Sequence, residues 1–179
     1  MVKYLSSDIP TSDRVFIDTN VLILVHKQVP MGSMYTDRQK VYSKTINELL
    51  KKDKALITTW LNVAEVFNVL ERMAMEEYRI TVKADESFTI KDFRKLVGQR
   101  ERLQKEILQV YSEIAYYYTV KDAKFIRKWM DKFAVSYTTH HQDPSDYVMS
   151  AFIEREGISE IITDDHDFHS DARFTVYTY

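Results

Sequence analysis

The residues in this chain best suited to chemistry are carboxylates at the ends of apolar runs. Asp18 interrupts "RVFIDTNVLILV" (residues 14–25), Glu65 sits in "TTWLNVAEVFNVL" (58–70), Asp146 in "DPSDYVMSAF" (143–152), and an acidic turn occupies "IITDDHDF" (161–168). A carboxylate among apolar neighbours is costly to desolvate unless it is paired or bound to a cation. Each also has a structural alternative: Asp18 and Asp146 suit helix N-termini, and Glu65 suits a solvated helix face. If the fold gathers these acids, their charges repel and some carboxyls take up protons. A hard divalent cation relieves that repulsion, and an oxygen-only donor set suits Mg²⁺ or Mn²⁺ rather than Zn²⁺.

The elements that must position them follow from the hydrophobic pattern. "RVFID" reads as a short buried strand with Asp18 at its carboxyl end, and "TNVLILVHKQ" as a helix turning back over it. An amphipathic helix from about Tyr35 to Lys51 and a strand "ALITT" at 55–59 come next. A long helix runs from Trp60 to about Tyr78, with Thr58 or Thr59 as its cap and a polar strip of Asn62, Glu65, Asn68 and Arg72. After a break at 81–88 the spacing predicts a long charged helix, bent at Gly98, and then a helix over about 122–133. Asp143 as N-cap, Pro144 at the first helical position and Gly157 as the stop bracket a further helix that holds Asp146 in its first turn. "SEIIT" and "FTVYTY" read as strands flanking the acidic turn. Strands alternating with helices imply a three-layer α/β/α sandwich around a mainly parallel sheet. In such a sheet ligands collect at the carboxyl ends of the strands, where the acids fall. We expect one domain over 1–179, with a helical excursion at about 81–135.

Composition narrows the function classes. With 179 residues, 45% hydrophobic and 29% charged, the chain has the balance of an ordinary globular domain. The absence of cysteine removes disulfides, thiolate zinc sites and cysteine nucleophiles. Three scattered glycines form neither a Walker loop nor a dinucleotide-binding turn. The longest aliphatic run, "VLILV", is far short of the ~20 residues that span a bilayer, and "MVKYLSSDIPTSDR" carries no apolar signal core. A cytoplasmic protein without membrane contact is the expectation.

The four blocks together resemble, in order and spacing class, those of PIN-domain ribonucleases, the fold of the VapC-type toxins of bacterial toxin–antitoxin pairs. They cover roughly residues 15–25, 57–71 and 143–168. The resemblance implies metal-dependent hydrolysis of RNA phosphodiesters, leaving 5′-phosphate and 3′-hydroxyl ends. It matches the catalytic acids to Asp18, Glu65, Asp146 and Asp165. Asp18, Asp146 and Asp165 would hold one or two Mg²⁺ or Mn²⁺ ions, with Asp167 as an auxiliary ligand. A slip of one residue would exchange Asp165 with Asp164. Thr19 and Asn20 match the polar pair that orients the first acid, and Thr163 matches the residue that fixes the last acidic turn. An antitoxin partner and a homodimer also follow from the resemblance. The stretch between Glu65 and Asp146 is longer and more helical than in the compact toxins.

Other side chains carry less specific signals. Arg72 shares the face of Glu65, and Arg94, Lys95, Arg100 and Arg102 belong to a basic helical segment suited to an RNA backbone, a solvated face or an antitoxin-binding arm. His140 and His141 read as loop histidines, and Tyr116 to Tyr118 as packing or dimer contacts. Two other classes compete with a ribonuclease: a catalytically inactive RNA-binding or assembly module of the same fold, and a metal phosphohydrolase acting on small phosphates.

Overall fold

A computed structural model of the chain describes residues 1–27, 35–123, 127–136 and 143–179; His140 and His141 lie outside them. Six strands form one sheet: β1 (Val2–Tyr4), β2 (Arg14–Ile17), β3 (Ala55–Thr59), β4 (Thr119–Lys121), β5 (Glu160–Ile162) and β6 (Thr175–Thr178), in the order β1-β6-β5-β2-β3-β4. Every pairing is parallel. The helices are α1 (Thr19–His26), α2 (Thr36–Lys51), α3 (Trp60–Val82), α4 (Ile90–Phe93), α5 (Val97–Tyr117), α6 (Arg127–Val135) and α7 (Pro144–Arg155).

Strand side chains point alternately to opposite faces, and two apolar cores result. Val15, Ile17, Leu56, Ile162 and Tyr177 face the core shared with α1, α2, α3 and α5. Their neighbours Phe16, Ile57, Ile161 and Val176 face a second core closed by Met149, Phe152 and Ile153 of α7. The result is the three-layer α/β sandwich that the pattern predicts. Strand β2 is central, with β5 on one side and β3 on the other, and Phe16 and Ile17 have no exposed surface. Such side chains each contribute roughly 1.5–3 kcal/mol through burial.

Most element ends follow the expected local chemistry. Thr59 caps α3 by accepting the Asn62 N–H, Asp143 caps α7 by accepting the N–H groups of Ser145 and Asp146, and Gly157 follows α7 at φ +67°. The expected long helix after the break is divided. Thr89 and Asp92 form a capping box around α4, the chain turns at Arg94 to Leu96, and α5 begins at Val97. Gly98 therefore lies in the first turn of α5, not at a bend. The expected helix over 122–133 is described from Arg127 to Val135. Two strands, β1 and β4, have no counterpart in the sequence reading; "VKY" and "TVK" each include a lysine and lack the apolar pair that marks the equally short β5. β4 lies within the expected excursion at 81–135 and pairs with β3, which ties that region into the sheet.

Candidate active site

Asp18 leaves the carboxyl end of β2 and caps α1. Its backbone N–H donates to the Ile162 carbonyl, which carries the β2–β5 ladder one residue past the strand. One carboxylate oxygen, Oδ1, accepts from the Thr19 N–H (2.7 Å) and from Asn62 Nδ2 (3.2 Å), and Oδ2 accepts from the Thr163 hydroxyl (2.6 Å). Elements from three parts of the chain thus converge on one carboxylate. The Thr19 hydroxyl donates to Glu65 Oε2 (2.7 Å) and accepts from Asn62 Nδ2 (2.9 Å), so Glu65 on α3 is held beside Asp18 through one shared threonine. The Asn62 carbonyl oxygen accepts from Thr59 (2.6 Å), which aims the amide nitrogen at Asp18 and Thr19. Asn62 is almost fully buried, and the sequence reading placed it on the polar strip without assigning it a role. Its signal was the Thr59-x-x-Asn62 spacing at a helix start, which reads as capping alone.

The acidic turn after β5 is held at two points. Asn20 accepts from the Asp164 N–H (3.0 Å) and points its amide toward Thr163 (3.4 Å), while Thr163 also accepts from the Asp165 N–H (2.9 Å). Asp164 pairs with Arg38 of α2 and accepts from Tyr42 (2.8 Å), whose hydroxyl in turn accepts from the Tyr179 N–H (3.0 Å). Asp164 therefore ties the turn to α2. Asp165 is the neighbour whose charge acts on Asp18 and Asp146. One Asp165 oxygen accepts from the Asp167 N–H (2.9 Å), starting a single 3₁₀ turn, His166–Phe168.

Electrostatics register the gathering of the acids. Burial pushes the Asp18 carboxyl up to about 6, against the bonds from Thr163 and Thr19, with further upward pressure from Glu65 and Asp165. Asp146 is pushed up to about 8 by burial first and then by Asp143, Asp18, Asp165 and Glu65. Asp143, chosen by the fold as the cap of α7, is an acid the sequence reading did not count toward the site. Asp18, Asn62, Glu65 and Asp146 line one cleft of ≈ 660 Å³ that runs on along α3.

In kind these donors fit a hard divalent ion: they are all oxygens, they repel one another, and they lie at the carboxyl edge of a parallel sheet. In arrangement the cluster is open. Among the described residues no three His, Asp or Glu side chains are grouped closely enough to hold an ion.

The five basic residues separate. Arg94 makes two bonds to Glu71 (2.8 and 2.5 Å), Arg102 pairs with Glu77 and Lys95 with Asp92. Arg100 lines a different groove, between α3 and α5, and Arg72 lines the acid cleft. Tyr118 is buried against His26, whereas Tyr116 and Tyr117 are exposed.

Fold and site together define an α/β protein with an acid cluster at the carboxyl edge of a parallel sheet. No protein-family model matches the chain, and no curated protein matches it. Among solved structures, 92% of this chain superposes on 98% of a chain in the crystal structure of VapBC2 from Rickettsia felis bound to a DNA fragment from their promoter, with a TM-score of 0.52 and 10% sequence identity. At that identity the likeness is one of fold. Among the described residues, no helix is long and apolar enough to cross a membrane.

Proposed function

We propose that this chain is a Mg²⁺- or Mn²⁺-dependent endoribonuclease of the PIN type, the toxin of a toxin–antitoxin pair. The observation that carries the reading is the convergence of Asp18, Glu65, Asp146 and Asp165, from four separate elements, within electrostatic reach of one another. The fold shared with a chain of VapBC2 supports it; an antitoxin partner, a homodimer and a cytoplasmic setting are parts of the same proposal.

Asp18, Asp146 and Asp165, with Asp167 as auxiliary, would hold the ion, which when bound supplies a water of lowered pKa and neutralises charge on the leaving oxygen. The chain's own groups then have distinct tasks. Thr163, Asn62 and the Thr19 N–H fix Asp18 in one rotamer. Glu65, oriented by the Thr19 hydroxyl, would bind the ion through water or position the attacking water. Asn20 and Thr163 hold the turn that presents Asp165.

The test is cleavage of labelled RNA in Mn²⁺ by wild type, Asp18→Asn and Asp146→Asn, with folding checked by circular dichroism. Loss of two or more orders of magnitude in both variants is the expected result, and undiminished cleavage by both would refute the assignment. The open arrangement of the acids favours a second reading, a metal-free RNA-binding or assembly module. Thermal stabilisation by Mn²⁺ that disappears in Asp18→Asn supports the nuclease; no shift at any metal concentration supports the module.

A further inference from the structure

The cleft that holds Asp18, Glu65 and Asp146 has a second end with the opposite charge. Passing along α3, it is lined by Asn68 and then by Arg72, and also by Arg94, which follows α4. Glu65, Asn68 and Arg72 are spaced by three and four residues, so they share one face of α3. Seven residues are two turns, which puts Arg72 about 10 Å along the axis from Glu65. The charge of Arg94 is matched by its two bonds to Glu71. Arg72 is exposed and, among the described residues, enters no ion pair or hydrogen bond. Two guanidinium groups therefore stand against one carboxylate, and the surplus positive charge belongs to Arg72.

We infer that Arg72, with Asn68 beside it, forms a phosphate subsite two turns along α3 from the acid cluster, which engages a phosphate neighbouring the one at the acids. An unpaired guanidinium offers a planar fork of donors that matches two phosphate oxygens. The substrate class that spans both ends is a polynucleotide chain with at least two backbone phosphates, not a mononucleotide or other small phosphate ester. This inference rests on the nuclease reading for what happens at the acidic end; the phosphate contact at Arg72 is separately measurable.

The experiment measures anisotropy of a 5′-fluorescein-labelled oligouridylate against salt in an Asp146→Asn background, where cleavage does not interfere. Adding Arg72→Ala is expected to lower the slope of log K against log[salt] by about 0.7, the loss of one phosphate contact on a single strand. Arg72→Lys should keep the slope, and Lys44→Ala, exposed on α2, should leave it unchanged. An unchanged slope in Arg72→Ala overturns the inference, even if wild type cleaves RNA in Mn²⁺. A lowered slope in a protein that cleaves nothing upholds the subsite while the nuclease reading fails. In wild type that does cleave, Arg72→Ala should lose the preference for a trinucleotide over a dinucleoside monophosphate and retain the rate on the shorter substrate; equal losses on both also overturn it.

Discussion

Replacing Asp18 with asparagine tests how tightly the acids are packed, through stability alone. In the folded chain the Asp18 carboxyl is raised from 3.8 to about 6. Between those values the folded chain keeps a proton that the unfolded chain has released, so stability falls as pH rises and the loss is complete above the folded value. Over about pH 4 to 8 the loss amounts to about 2 kcal/mol at 1.36 kcal/mol per unit. Asparagine removes this dependence but brings a fixed penalty. Its amide nitrogen would face the Thr163 hydroxyl oxygen, which already receives the Asp165 N–H and the Asn20 amide. A third donor facing lone pairs that are already taken costs about 1–2 kcal/mol at every pH. The variant is therefore expected to be less stable than wild type near pH 4 and more stable near pH 8, the two curves crossing between. Urea unfolding in the presence of a chelator, repeated across this range, measures both. The buried His26 and the partly buried His169, both held below the ordinary histidine value by desolvation, slope the opposite way in each protein and cancel in the difference. Parallel curves, with a constant offset and no crossing, would refute the claim that burial and neighbouring acids crowd Asp18.

Three other outcomes follow from the same contacts. Asn62→Ala takes one of the two donors from Asp18 Oδ1, leaving it the Thr19 N–H, strips the Thr19 hydroxyl oxygen of its donor, and should cost about 1–3 kcal/mol in urea unfolding. His26 bonds Glu113 and Tyr118 (2.8 and 2.9 Å) with burial as the dominant influence on its ring, so nuclear magnetic resonance should find it titrating below 6.5, with its share of stability lost as pH falls through that folded value. Phe152→Ala empties a site fully enclosed beneath α7 and should cost about 3–5 kcal/mol, read as a shift in urea midpoint at unchanged slope.

The parts of the fold legible in the sequence are those decided locally. The short apolar runs in "RVFI" and "ALITT", the Asp143–Pro144 start and the Gly157 stop all depend on neighbours within a few residues. The positions of Asp18 and Asp146 at element ends, and of Glu65 on the polar strip of α3, came from the same signals. What the sequence could not settle depends on distant partners. Asp164 and Asp165 are indistinguishable by type and differ by one position; Arg38 and Tyr42, 126 and 122 residues away, claim the first and leave the second to the acid cluster. Likewise Glu71, 23 residues from Arg94, separates that arginine from Arg72, which the sequence treats as equals. Asn62 read only as a member of the polar strip because its task, holding Asp18 and Thr19 at once, exists only after β2 and α3 are side by side.

The strand order also governs when the acid cluster can exist as a polypeptide grows. β2 and β3 emerge early and can pair at once, but the other flank of β2 stays bare until β5 arrives, well over a hundred residues later. Thr163 and Asp165 come with β5, so Asp18 lacks one of its hydrogen-bond partners, and the cluster one of its charges, until nearly all of the chain described here has left the ribosome. At roughly 5–20 residues per second that interval is several seconds or longer. A nascent chain that already carries Asp18 and Glu65 therefore lacks the complete acid cluster throughout that interval.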